Sequence, residues 1–209
     1  MKREAFLARV SAALGREPGA SVAPVPPPPP GAIVSPSTAG FGTVEELARH
    51  FVERAEAVGA RVRRATGDEV ASVAAAAARE LGASACASDD AVAREAILAC
   101  GLPEEAPEHA DVGITGAWRG VAETGTVVLR AEPGRLEGLL PPAHVVVLRE
   151  EDLRRDLVET YGDLSGDLPS GVVQITGPSR TADIEMTLTT GVHGPGTVVI
   201  VLVGDAAGT

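Results

Sequence analysis

The sequence predicts an α/β fold with a mostly parallel sheet sandwiched by helices. Three features carry that expectation. Helix-period segments alternate with short β-branched runs along most of the chain. Two of those runs, Val145-Val146-Val147-Leu148 and Thr197 to Val203, are almost continuously apolar, the pattern of strands covered on both faces. Aromatic residues are 2% of the chain against 44% hydrophobic residues, so the core has to be built from Val, Leu, Ile and Ala.

Residues 2–15 place Phe6, Leu7, Val10, Ala13 and Leu14 at helical spacing, with Lys2, Arg3, Glu4 and Arg9 on the other face. Pro18 to Pro36 then holds eight of the 16 prolines, including the run Pro26 to Pro30. Consecutive prolines fix φ and remove donors, so this stretch reads as an extended polyproline II spacer. The expected organisation is a helix over 1–15, a proline-rich linker over 16–37 and an α/β domain over 38–209. In that domain Thr43-Val44-Glu45-Glu46 is a capping box that opens a helix to about Val58, stopped by Gly59. A short strand comes next at 60–65. Asp68 is expected to cap an alanine-rich helix ending at Leu81-Gly82, and Asp89 or Asp90 a third helix ending near Cys100-Gly101. A small apolar strand lies between them at 83–87. Further strands are read at 111–115, 120–130, 145–148, 172–176 and 197–203, with a helix over 150–161 carrying Leu153, Leu157 and Tyr161 at four-residue spacing.

Charge and cysteine content exclude several classes of function. With 18 Lys plus Arg against 29 Asp plus Glu, the formal net charge is −11. Nucleic acid and anionic membranes both need a cationic surface, so neither is an expected partner. No apolar run reaches the length of a membrane span, and the amphipathic start lacks the apolar stretch of a signal peptide. The expected location is the cytoplasm. Two cysteines, Cys86 and Cys100, cannot supply a disulfide framework or the four thiolates of an ordinary iron–sulfur cluster. The four histidines are scattered without HxH, HExxH or any other metal-ligand spacing, so no metal site and no cofactor is expected in this chain.

Candidate chemistry sits in three places. Gly177-Pro178-Ser179-Arg180-Thr181 comes after an apolar strand and reads as a strand–turn–helix. Gly177 allows close backbone approach, Ser179 and Thr181 can cap the helix, and Arg180 stands beside free N–H groups, a combination suited to a small carboxylate or phosphate. The same residues also fit an ordinary turn with a solvated arginine. Glu123, in Ala122-Glu123-Thr124-Gly125-Thr126, interrupts an apolar β-branched segment, either at a strand end in a cleft or on a solvated face. His193, flanked by glycines in Gly191-Val192-His193-Gly194-Pro195, can shuttle a proton or polarise a carbonyl, or simply bond to nearby backbone. His144, after Pro141-Pro142 at a strand entry, is a candidate anion ligand but suits a structural hydrogen bond better. Trp118 in the turn Gly116 to Gly120 can wall a pocket or pack on a partner.

Taken in order, Gly113-Ile114-Thr115-Gly116, Ala122 to Thr126, Leu139-Leu140-Pro141-Pro142-Ala143-His144, Gly177 to Glu185 and Gly191 to Pro195 resemble the LUD-domain family, in particular its lactate-utilisation protein C branch. The resemblance covers about residues 111–203 and departs at Trp118-Arg119-Gly120. It implies a fold similar to the NagB/RpiA/CoA-transferase group. It also implies a role with two iron–sulfur partner proteins in oxidising L-lactate to pyruvate, the clusters lying in those partners. On that basis the expected function is a component of an L-lactate utilisation system that binds a small carboxylate or assembles the complex, with Glu123 and His193 as catalytic candidates. Two alternatives stand beside it. Glu123-Thr124-Gly125 is similar to the Glu-x-Gly of CoA transferases, which implies a stand-alone acyl- or CoA-transfer enzyme with Glu123 as nucleophile. A non-catalytic scaffold, working through its N-terminal helix and proline spacer, is the other.

Overall fold

The computed structural model describes residues 3–13, 15, 41–131, 136–164, 169–182 and 188–204. The chain forms two compact units, Met1–Ile33 and Val34–Thr209. The first contains α1 (Arg3–Ala13), the helix expected at 2–15, on which Phe6 and Val10 are exposed. The proline-rich stretch 16–37 lies outside the described residues.

The second unit is built on five parallel strands in the order β1-β11-β6-β3-β2, namely β1 (Arg61–Ala65), β11 (Thr197–Val203), β6 (Ala143–Arg149), β3 (Val112–Gly116) and β2 (Ala85–Ala87). The two continuous apolar runs, β6 and β11, lie inside this sheet, with both faces covered as their composition requires. On one face α3 (Val70–Leu81) and α4 (Ala91–Cys100) bury Ala74, Ala78, Ala93 and Ile97 against Val112, Ile114, Val145 and Val199. On the other, α2 (Val44–Ala57) buries Ala48, Phe51 and Ala55 in a cluster with Val146, Leu148, Val198 and Ile200. Alanine-rich helices approach the sheet closely, which is how a core with few aromatic rings fills its volume.

Helix starts obey local chemistry. Thr43 Oγ1 accepts from the Glu46 amide at 3.2 Å while Glu46 Oε2 accepts from the Thr43 amide at 3.3 Å, the reciprocal box expected from the sequence. Asp90 caps α4, and Gly101, at φ 65°, closes it. The cap expected from Asp68 is not formed. Glu69 occupies the cap position of α3 and its carboxylate instead takes the Thr66 amide and hydroxyl.

The larger corrections concern a second sheet that periodicity does not reveal. It has the order β7-β4-β5-β8, from β7 (Leu153–Arg154), β4 (Arg119–Val121), β5 (Thr126–Arg130) and β8 (Val172–Ile175). The expected strand 120–130 is therefore a hairpin, broken by the turn at 122–125. The expected helix 150–161 divides into a 3₁₀ turn at Glu150–Asp152, strand β7, and α5 (Leu157–Gly162) capped by Asp156. Leu153 fits a helical period, but it is drawn into the core beside Gly120 of β4. The strand at 172–176 is half-buried rather than buried, because it pairs antiparallel with β5 at the edge of this small sheet. The helix expected after the Gly177 turn does not begin there: β9 (Arg180–Ala182) pairs antiparallel with β10 (Leu188–Thr190).

Candidate functional site

Parallel strands bring their carboxyl ends to one side of the sheet, and ligands of open α/β sheets bind there. A cavity of about 430 Å³ occupies that side, over the ends of β2, β3 and β6. Ser88, Asp89 and Asp90 come from the β2–α4 connection, Thr115 and Gly116 from the end of β3, Val147 and Arg149 from the end of β6. Trp118, Leu129 and Arg130 close it from the second sheet, with Asp152 beside them. A neighbouring cavity of about 320 Å³, lined by Gly67, Glu150 and Val203 among others, shares Arg149 as a wall.

Each lining group has a definite state. Asp90 is committed to structure: Oδ1 accepts from the Ala93 amide and Oδ2 from the Gly116 amide, both at 2.8 Å, and Ser88 Oγ donates to the same carboxylate. Asp152 is held by Arg119 Nη1 at 2.8 Å. Burial pushes its carboxyl up from the ordinary aspartate range, with Arg119 pulling the other way, so a proton can be held there nearer to neutral pH than on a free aspartate. The Trp118 ring has the Arg119 guanidinium 4.6 Å from its centroid and that of Arg130 at 5.7 Å. Arg149 faces Glu151 at 3.9 Å with side chains 56% and 76% exposed, an ion pair worth little and readily exchanged for an anionic ligand. The cleft thus offers guanidinium groups, an indole face and a half-buried carboxyl.

The residues singled out from sequence lie elsewhere. Glu123 and Arg180 both reach the last turn of α2. Arg54 Nε donates to the Glu123 carbonyl at 3.1 Å, and Arg180 Nη2 donates to the Val58 carbonyl at 2.9 Å. In that position Arg180 satisfies a carbonyl at a helix C-terminus. Gly177 is buried against the same Val58 carbonyl. The His193 loop adjoins this group, because the Ser179 amide donates to the Pro195 carbonyl at 2.8 Å and the Gly191 amide to the Ser179 carbonyl at 3.0 Å. Ser179 caps no helix start, since Arg180 and Thr181 continue into β9. The three segments therefore adjoin, with His193 exposed, but at the amino ends of the parallel strands: the Gly196 amide bonds to the Pro142 carbonyl, just ahead of β11 and β6. A seven-residue strand separates that end from the cleft, about 20 Å. Neither of the two cavities at the carboxyl end is lined by Glu123, Arg180 or His193.

His144 is wholly buried on β6, with Nε2 2.8 Å from Thr115 Oγ1. The structural hydrogen bond read from its sequence position is present. Burial alone pushes its pKa down to about 4. Trp118 does wall a pocket. Sequence reasoning misses Thr115, Arg130, Arg149 and Asp152. The available signal is the carboxyl-end rule itself, applied to the apolar run that ends at Arg149 instead of to the edge strand before Gly177. Among the described residues no group of three or more His, Cys, Asp or Glu is placed to hold a metal ion. No helix among them is long and apolar enough to cross a membrane.

Residues 104–203 match the family model of the LUD domain. Similar proteins include the lactate utilization protein C of an Exiguobacterium species, 42% identical over 105 residues that make up 46% of each chain. The protein of the same name from Bacillus subtilis is 37% identical over 106 residues, 47% of this chain and 44% of that one. The chain spans about half the length of the curated relatives it matches. In fold it is similar to the crystal structure of a DUF162 family protein from Deinococcus radiodurans, with a TM-score of 0.58, 21% identity, and coverage of 78% of this chain and 99% of that one. Of the cleft, Thr115 to Trp118, Leu129, Arg130, Val147, Arg149 and Asp152 fall inside the matching stretch, while the Ser88 to Asp90 wall falls outside it. Over residues 104–203, just under half of its length, the chain is similar to the LUD-domain family.

Proposed function

We propose that this protein is a component of an L-lactate utilisation system that binds a small carboxylate in the carboxyl-end cleft and acts with iron–sulfur partner proteins. The names of its relatives support the system. The observation that carries the ligand class is the pairing of Arg149, whose ion pair with Glu151 is long and exposed, with the indole of Trp118 across the same cavity. A planar guanidinium takes a carboxylate in two parallel hydrogen bonds, and the indole face covers a short apolar body. Asp152 is the group placed to exchange a proton with a bound hydroxy or keto acid. The oxidation of lactate to pyruvate needs an electron acceptor, and in this reading the iron–sulfur partners supply it. The arrangement as helix 1–15, linker 16–37 and domain 38–209 belongs to the same proposal, in which the N-terminal helix engages those partners.

The acyl-transfer alternative is the weaker reading. Gly125 of the Glu-Thr-Gly motif lies against the backbone of α2 at Ala55, where only a glycine fits, and this packing accounts for the glycine of the motif without chemistry. The test of the proposal uses Trp118, the single tryptophan of the chain, as an internal reporter. Titration with L-lactate, pyruvate and inorganic phosphate should change its emission. Arg149→Ala should weaken carboxylate binding by about tenfold or more, the worth of a charge-assisted hydrogen bond, and Arg180→Ala should leave it unchanged. The reverse ranking of the two variants would return the ligand to the Arg180 turn.

A further inference from the structure

The floor of the cleft contains a pair of residues whose hydrogen-bond arithmetic is incomplete. Thr115 is buried at the end of β3 and lines the cavity. Its Oγ1 lies 2.8 Å from His144 Nε2, and among the described residues His144 is the hydrogen-bond partner of that hydroxyl. His144 is 0% exposed, and its other ring nitrogen, Nδ1, is buried with no partner among them. A neutral imidazole has one N–H and one lone pair. If the proton sat on Nδ1, a buried donor would have no acceptor, the rarer and costlier defect. Placed on Nε2, the proton has Thr115 Oγ1 as its acceptor and leaves only a lone pair unsatisfied. Thr115 Oγ1 then accepts from histidine, and its own proton has to go to another acceptor.

We infer that His144 holds Thr115 as a fixed hydrogen-bond donor to the ligand: Nε2–H points at Oγ1, and the threonine O–H points into the cavity, where it meets a carboxylate or keto oxygen. This rests on the reading of the cleft as the carboxylate site and adds a specificity determinant to it. Arg149 supplies charge, which any anion satisfies. A neutral donor of fixed direction selects instead for an oxygen acceptor at one position of the ligand. His144 is here a positioning residue, since it acts through Thr115. With Nε2 already protonated it cannot take the Thr115 proton, so the pair does not make a nucleophile of the threonine. Burial keeps the ring neutral at physiological pH, in line with this role.

Two measurements test it. The first needs no ligand: the ¹⁵N spectrum of histidine-labelled protein at pH 7 should show His144 as the neutral Nε2–H form. A Nδ1–H form overturns the inference by itself and leaves the Arg149 site standing. The second tracks Trp118 emission during titration with pyruvate and L-lactate. Thr115→Val should raise Kd by about tenfold. Thr115→Ser, which keeps the hydroxyl, should stay within about twofold of the original protein. If Thr115→Val binds as tightly as the original protein, the donor role is wrong while the cleft reading survives. If the original protein binds neither acid, the cleft reading fails and the donor assignment fails with it.

Discussion

The carboxylate of Asp90 accepts the Gly116 amide at 2.8 Å, tying the first turn of α4 to the end of β3 across the wall of the cleft. One oxygen caps the helix through the Ala93 amide and the other fixes the strand end. The same side chain therefore sets helix position and cavity shape. Asp90→Ala should cost about 1–3 kcal/mol in urea unfolding, a lost cap plus an unsatisfied amide at Gly116. Asp90→Asn should recover part of that, since asparagine caps helices as well but has only one acceptor oxygen. Equal losses for the two variants would mean that the cap contributes nothing separable.

His144 gives the protein an acid-labile component. Its ring is neutral in the fold down to about pH 4, against an ordinary value of 6.5, because burial disfavours the charged form. Above pH 6.5 the ring is neutral in both folded and unfolded chains, and its contribution is complete. As pH falls from 6.5 towards 4, the unfolded chain takes up a proton that the folded one does not, and stability drops by roughly 3 kcal/mol in all. Urea unfolding at about pH 7 and about pH 4.5 measures this. His144→Phe should lose the corresponding part of the pH dependence whatever its stability at neutral pH, because the other titratable groups behave alike in both proteins.

Neither cysteine should behave as a reactive thiol. Cys86 is 3% exposed on β2, and burial, reinforced by the carboxylates of Glu137, Glu104 and Glu108, pushes its thiol up to about 12. Cys100 is buried at the end of α4 with its Sγ 2.9 Å from the Ile97 carbonyl. A disulfide-exchange reagent at about pH 8 should release no thiol equivalent within minutes from the folded protein and two in guanidinium chloride. A fast equivalent from the native protein would show that the β2 edge opens readily.

The elements that local chemistry determines are legible in the sequence: the capping box at Thr43, the cap at Asp90, the stop at Gly101 and the doubly buried runs of β6 and β11. The second sheet is not, because its strands are short and its pairings non-local. Leu153 fits a helix by spacing yet is recruited beside Gly120, and Val172 to Ile175 looks like a buried strand yet pairs at an edge. The candidate site suffers from the same cause. Once the edge strand is taken for a member of the parallel sheet, the turn at Gly177 becomes its carboxyl end, and attention moves to Arg180. Arg180 is instead bonded to Val58, 122 residues away, which no spacing in the chain reveals. Trp118 and His144 are legible because a lone tryptophan in a glycine-flanked turn and a histidine at a buried strand entry have few ways to be placed.

The turn that carries Glu123 offers the sharpest test between packing and chemistry. Gly125 has φ +66°, and a Cβ there would lie 2.2 Å from the Ala55 amide nitrogen and 2.6 Å from Ala55 Cα, both backbone atoms of α2. Backbone of a packed helix cannot step aside as the tip of a side chain can. Gly125→Ala therefore meets two costs, the left-handed conformation and a collision that has to push α2 off the second sheet. The expected loss is at least about 2 kcal/mol, seen as a lower urea midpoint. Glu123→Gln keeps the backbone bonds of the turn: its amide still donates to the Arg155 carbonyl at 3.0 Å, and its carbonyl still accepts from Arg54. If the motif exists for packing, Glu123→Gln leaves carboxylate binding at the cleft as it was, and incubation with acyl-CoA adds no mass to the protein. A covalent adduct on Glu123 would reverse the assignment, because a side chain retained only for the shape of its turn has no reason to be nucleophilic.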